Sequence, residues 1–78
     1  MALSPKAQRR KRLRELLTEG RKAAGLSQAA VAKKVGKPQA FVSRYETGER
    51  QLDVAEFVEI AEVLGVDPVA ILRTMKKS

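Results

Sequence analysis

The chain has no cysteine, no histidine and no tryptophan. Without cysteine it forms no disulfide and offers no thiolate to a metal. Without histidine it lacks the commonest metal ligand and the commonest general base. An enzyme built from this sequence would work with carboxylates, lysines and a single tyrosine. No catalytic activity, metal or cofactor is therefore expected. Long apolar runs are missing too, so no segment is expected to span a membrane. The basic N-terminus is followed by no apolar stretch, which excludes a secretory signal. The first 14 residues contain no acid, as in a transit peptide, yet they continue smoothly into an amphipathic helix. The expectation is an intracellular, cytoplasmic protein.

What is present is positive charge. The 78 residues carry a formal net charge of +7, which points to an anionic partner such as nucleic acid. Its distribution is uneven. Residues 1–50 hold 13 basic and 4 acidic residues, a net of +9, whereas residues 51–78 hold 3 basic and 5 acidic, a net of −2. One part of the chain is expected to face the anion and the other to do something else. The length fits one domain with one modest core, and 44% hydrophobic residues argue against disorder.

Helix punctuation divides the chain into five segments. Ser4 and Pro5 read as N-cap and first position of a helix with Leu13, Leu16 and Leu17 on one face. It ends near Ala24, with Gly25 as its stop. Gly20 inside it costs about 1 kcal/mol relative to alanine, so a neighbouring side chain is expected to pack there. Ser27 caps a second helix, Gln28 to Val35, which Gly36 ends. Lys37 and Pro38 form a short connection to a third helix reaching Thr47, with Gly48 after it. Asp53 caps a fourth, with Glu56 completing a capping box and Leu52 with Phe57 a hydrophobic staple; Gly65 stops it. Asp67 and Pro68 open a fifth, through Val69, Ile71, Leu72 and Met75, and the tail Lys76–Ser78 is expected to fray. No window alternates with period two long enough for a strand. The expected fold is all-α, a compact five-helix bundle.

The segment from Gln28 to Thr47 carries the function. Two helices joined by a tight turn at Gly36 can only cross sharply. Val31, Val35, Val42 and Tyr45 supply apolar contacts, and Ala32 sits where the helices approach. Such a pair can lie one helix across a DNA backbone and place the other in the major groove. Val42 and Tyr45 point inward, so Gln39, Ala40, Ser43 and Arg44 share the remaining face of the third helix. Glutamine pairs with adenine, arginine with guanine, and alanine touches a thymine methyl. Phe41 and Tyr45, in a basic region, are candidates for base stacking, but their helical spacing favours packing within the protein. The run Lys6, Arg9, Arg10, Lys11, Arg12 and Arg14 reads either as a solvated helix face or as an extra phosphate-binding arm.

The stretch Leu26-Ser-Gln-Ala-Ala-Val-Ala-Lys-Lys-Val-Gly, followed by Pro38-Gln-Ala-Phe-Val-Ser-Arg-Tyr-Glu-Thr-Gly-Glu, resembles the XRE family, which includes the lambdoid phage repressors and Cro proteins. Glu59-Ile-Ala-Glu-Val-Leu-Gly-Val-Asp-Pro resembles that family's fourth and fifth helices. The likeness covers residues 13–72, flanked by a basic helix extension (1–12) and a basic tail (73–78), with the helix-turn-helix at 28–47. It implies a lambda repressor-like domain that reads bases through Gln39, Ala40, Ser43 and Arg44. It implies phosphate contacts from Gln28, Lys37, Thr47 and Arg50, with Gln28 also bracing Gln39. Arg21 and Glu46 match an ion pair found across the family, the arginine also lying near the DNA backbone. Two positions depart from the pattern: Pro38 stands where relatives use a capping Ser or Thr, and Gly20 replaces an aliphatic residue.

The expected function is a sequence-specific regulator of transcription, a repressor or autoregulator that binds a palindromic operator on double-stranded DNA as a homodimer. Val66, Val69, Leu72 and Met75 are the expected dimer contacts, in the half of the chain that carries no positive excess. With no room for a sensory domain, regulation is expected to come from concentration, DNA geometry or a regulatory protein partner. One rival is an antitoxin-type module that binds a toxin and its own promoter, which needs an apolar or acidic surface in residues 51–78. Another is a basic amphipathic helix at a membrane surface. Residues 5–24 offer it only leucines and alanines, without a bulky aromatic.

Overall fold

Each helix starts where a short side chain can accept the first free N–H groups. In the computed structural model, which describes residues 3–76, five helices follow in order: α1 (Pro5–Ala23), α2 (Gln28–Val35), α3 (Gln39–Thr47), α4 (Val54–Leu64) and α5 (Pro68–Lys76). The described residues contain no strand. The Ser4 hydroxyl accepts from the Ala7 N–H at 3.1 Å, and Ser27 from Ala30 at 3.0 Å. At α4 the capping box is complete: Asp53 accepts from the Glu56 N–H at 2.8 Å, and the Glu56 carboxylate accepts from the Asp53 N–H at 3.0 Å. Asp67 accepts from the Val69 N–H at 2.9 Å. Each bond satisfies a donor that the helix leaves unpaired. α3 is the exception. Pro38 occupies its N-cap with extended backbone and no side-chain cap. Proline there holds the backbone in the entry conformation instead.

Gly36 sets the helix-turn-helix angle. It adopts φ +69° and ends α2, while the Lys37 N–H reaches back to the Ala32 carbonyl at 2.9 Å. This left-handed closure turns the chain within two residues. α3 then crosses α2 with Val31, Ala32, Val42 and Tyr45 buried between them and the remaining helices. Leu17 from α1, Phe57, Ile60, Ala61 and Leu64 from α4 and Ile71 from α5 complete the core, and among the described residues no polar or charged residue is buried with them. Truncating a fully buried residue such as Leu17 to alanine is expected to cost about 2–5 kcal/mol.

Gly20 lies where α1 meets the α4–α5 turn. A β-carbon there would stand 3.3 Å from Val66 Cγ1 and 3.6 Å from Leu64 Cδ1. The missing side chain is thus replaced by Val66; a packing neighbour was expected there, but Val66 itself was expected at the dimer surface. Lys76 belongs to the last turn of α5 rather than to a frayed tail, and the rest of that expectation, at Lys77 and Ser78, lies outside the described residues.

Candidate nucleic-acid interface

α3 is held on the bundle by one charged contact. Glu46 sits one residue beyond the buried Tyr45, at the edge of the core. The Arg21 guanidinium, reaching from α1, donates from Nε to Glu46 Oε2 at 2.7 Å and from Nη2 to Oε1 at 3.1 Å. A third bond, 3.0 Å, runs from Arg21 Nη1 to the Leu26 carbonyl. The Arg21 side chain is 12% exposed and Glu46 7%. Such a bidentate, partly desolvated pair fixes orientation as well as distance. The hydrogen bond to Glu46 raises the Arg21 pKa further above its ordinary value, against the opposing effect of burial.

Gln28 joins this cluster. Its Nε2 donates to Glu46 Oε1 at 3.0 Å. No hydrogen bond joins Gln28 to Gln39 among the described residues; Gln28 instead locks α2 to α3 through the Glu46 carboxylate. Arg21, Gln28 and Glu46 therefore tie together the three helices that present the interface.

The outer face of α3 is free. Gln39, Ala40 and Arg44 are exposed and Ser43 is half-buried. The Gln39 side chain bonds to no described residue. Arg44 has only a long contact to Glu49, 3.8 Å, with both side chains mostly in solvent, which is worth little. The Ser43 hydroxyl donates to the Ala40 carbonyl and that of Thr47 to the Arg44 carbonyl. Both oxygens keep their lone pairs for another donor. Phe41 and Tyr45 pack within the protein, edge to face with ring centroids 5.8 Å apart.

The loop after α3 holds a cluster that the sequence did not reveal. The Arg50 guanidinium forks onto Glu56, Nη1 to Oε1 at 3.0 Å and Nη2 to Oε2 at 2.8 Å, while Nη1 also donates to the Gln51 carbonyl. Its Cζ lies 4.7 Å from the Phe41 ring centroid, and Lys37 Nζ lies 5.8 Å from it. Phe41 is thus flanked by two cations. The bond from Arg50 and the N–H of Asp53 hold the Glu56 carboxyl below its ordinary pKa, and that same carboxylate raises the Arg50 pKa. The Glu56 that caps α4 also anchors Arg50, a coupling that needs both ends of the loop to be placed. Lys37, by contrast, has no ion pair within 4.0 Å among the described residues.

A helix-turn-helix family model matches residues 17–71. The chain belongs to the XRE family of helix-turn-helix proteins. The solved structure of an XRE-family like protein from Pseudomonas syringae pv. tomato str. DC3000 superposes with a TM-score of 0.87, at 42% sequence identity over 91% of this chain and 87% of that one. No curated protein matches at a comparable level. As an XRE-family protein the chain is a DNA-binding regulator of transcription. No helix among the described residues is long and apolar enough to cross a membrane, and the described residues group no acidic side chains suited to a metal.

The second half of this XRE-family domain exposes apolar side chains away from α3. Val69 is 51% exposed, Leu72 52% and Val54, at the start of α4, 79%. Val66 and Met75 are half-buried and pack against the core, with Val66 engaged over Gly20. The outward apolar surface therefore rests on Val69 and Leu72 rather than on all four residues expected. Val54, at the start of α4, is a further exposed apolar side chain that the sequence reading did not single out.

Proposed function

We propose that the protein represses transcription, its own included, by binding a palindromic operator as a symmetric dimer, with α3 in the major groove of each half-site. One observation carries this reading: α3 presents Gln39, Ala40 and Arg44 to solvent without strong partners, while Arg21, Gln28 and Glu46 fix its orientation. Gln39 stands at the helix start, the end that goes deepest in this motif, and its free amide suits adenine. Arg44 takes a guanine further along, with Ser43 and Ala40 assisting. Lys37, Thr47, Gln28, Arg21 and Arg50 meet flanking phosphates, Arg50 and Arg21 as cations already oriented by their carboxylates. The site of action is the cytoplasm, with its DNA.

Dimerisation through Val69 and Leu72 of α5 brings together the halves that lack positive excess. Two-fold symmetry then sets the recognition helices about 34 Å apart, one turn of DNA. A protein partner, as in an antitoxin, would use the exposed apolar or acidic side chains of residues 51–78; a mixed complex in place of a homodimer on DNA would favour that second reading.

Arg44→Ala and Lys37→Ala test the roles assigned. If Arg44 reads a base, its loss costs about 1–3 kcal/mol and relaxes preference at one position per half-site. Lys37→Ala weakens all sequences alike and lowers the salt slope by about one unit. If Arg44→Ala behaves like Lys37→Ala, Arg44 is a phosphate contact and not a reader.

A further inference from the structure

Besides the face of α3, the fold has a concave site between α1 and the α3–α4 loop. It is a pocket of about 190 Å³ lined by Arg10, Leu13, Arg14, Tyr45, Arg50 and Leu52, with Gly48 and Gln51 at its edge. At about 30 Å³ per water, that is room for roughly six waters.

Three arginines from two elements line it. Arg10 and Arg14 are four apart on α1, so they share a face and repel one another. Neither has an ion pair or side-chain hydrogen bond to a described residue. Arg14 is nonetheless half-buried. Its Cζ lies 3.0 Å, and its Nε 3.2 Å, from where a Gly48 β-carbon would stand, so only glycine at 48 leaves it that seat. Arg50 is neutralised by Glu56 and held in place. The pocket therefore keeps two uncompensated positive charges and one pre-oriented guanidinium. Tyr45 is 2% exposed and lines this pocket, and its hydroxyl is the one buried side-chain polar atom among the described residues without a hydrogen-bond partner. A half-buried cation without a counter-charge and a buried hydroxyl without an acceptor both cost stability. An oxyanion in the pocket relieves the first.

We propose that this pocket is a phosphate-binding site, in which Arg10 and Arg14 clamp the phosphoryl oxygens and Arg50 completes the cradle. Guanidinium forks match phosphoryl oxygens in geometry, while Leu13 and Leu52 leave an apolar wall for whatever carries the group. The phosphoryl group comes from one of two sources, the DNA backbone or a small phosphorylated molecule that thereby adjusts the domain. The site stands on its own residues. Only the DNA source rests on the functional reading above.

The test uses the full chain with inorganic phosphate as probe, in chloride buffer at constant ionic strength. Arginine side-chain NMR follows each guanidinium. Saturable shifts are expected at Arg10, Arg14 and Arg50, and Arg14→Gln should weaken phosphate binding by roughly tenfold or more, the loss of charge-assisted hydrogen bonds. Arg73→Gln, on α5, should leave it unchanged. The source is read separately, from binding to a duplex lacking any selected motif. If Arg14→Gln lowers the salt slope by about one unit, a backbone phosphate occupies the pocket. If the slope is unchanged while phosphate binding is lost, the occupant is a free phosphorylated molecule. Shifts that spread over exposed arginines and are indifferent to Arg14→Gln, together with an unchanged salt slope, would mean an adventitious ion only and overturn the proposal. The motif read by α3 is measured independently, so failure here leaves that reading standing.

Discussion

Glu46→Gln is the substitution that most directly probes what holds α3. The replacement keeps size and one carbonyl acceptor, but removes the charge that receives two bonds from Arg21, at 2.7 and 3.1 Å, and a third from Gln28 at 3.0 Å. Arg21 is then left 12% exposed with no anion. Breaking a fully buried pair typically costs about 3–5 kcal/mol. Here the pair lies at the core's edge, and the new amide still accepts one bond, so about 2–3 kcal/mol is expected, below that range. For a domain of this size each kcal/mol lowers Tm by about 4–8 °C, so the melting temperature should fall by roughly 8–24 °C. Circular dichroism melts at neutral pH measure it, with Arg21→Gln and the double variant closing a thermodynamic cycle. The double variant should lose less than the sum of the singles, because neither charge is then stranded. Additive losses, or a Glu46→Gln melt within about 2 °C of the parent, would refute the argument that this pair orients α3.

Other outcomes follow from the same contacts. Burial pushes the pKa of Tyr45, the sole tyrosine, up to about 12. Its folded pKa lies above the ordinary value of 10.0, so the associated stability is complete below pH 10.0 and lost as pH rises toward 12. Tyrosinate absorbance and unfolding should coincide there, and Tyr45→Phe should shift the alkaline transition upward. Glu56 is the reverse case. Its carboxyl is held below the ordinary 4.5, so its contribution is present above 4.5 and lost as pH falls through the lowered folded value; Glu56→Gln should flatten the acid limb of stability against pH. Asp53→Ala removes the α4 cap and should cost about 1 kcal/mol in denaturant melts. DNA affinity should fall roughly a thousandfold or more between about 50 and 200 mM salt if six or more phosphates are contacted; a nearly flat response would count against DNA as the partner.

What was legible in the sequence was local. Ser4, Ser27 and Asp53 act on the N–H groups three residues ahead, and Gly36 and Gly48 on the carbonyls just behind, so caps and stops read directly from spacing. The orientation of α3 was also legible, since Val42 and Tyr45 fix which face remains outside. Contacts that depend on where the chain returns were not. Arg50 looked like a free cation until the loop brought it onto Glu56 and Phe41. Gln28 looked like a partner for Gln39 until the helix crossing set it against Glu46. Val66 and Met75 looked like surface because periodicity counts apolar positions without saying which of them a glycine on α1 will receive. The pocket between α1 and the α3–α4 loop belongs to the same class: its residues are far apart in sequence, and Arg14 gains its seat above Gly48 only when the loop folds back onto α1.

The central claim is that α3 reads DNA sequence. Selection of bound sites from a random duplex library, run in parallel with the parent and a Gln39→Ala/Arg44→Ala variant, tests it most directly. The parent should enrich a palindrome whose half-site centres lie about one helical turn apart, roughly 10 base pairs, and the variant should lose preference at the positions those side chains contact. No enrichment by the parent, or the same motif from both proteins, would contradict the claim.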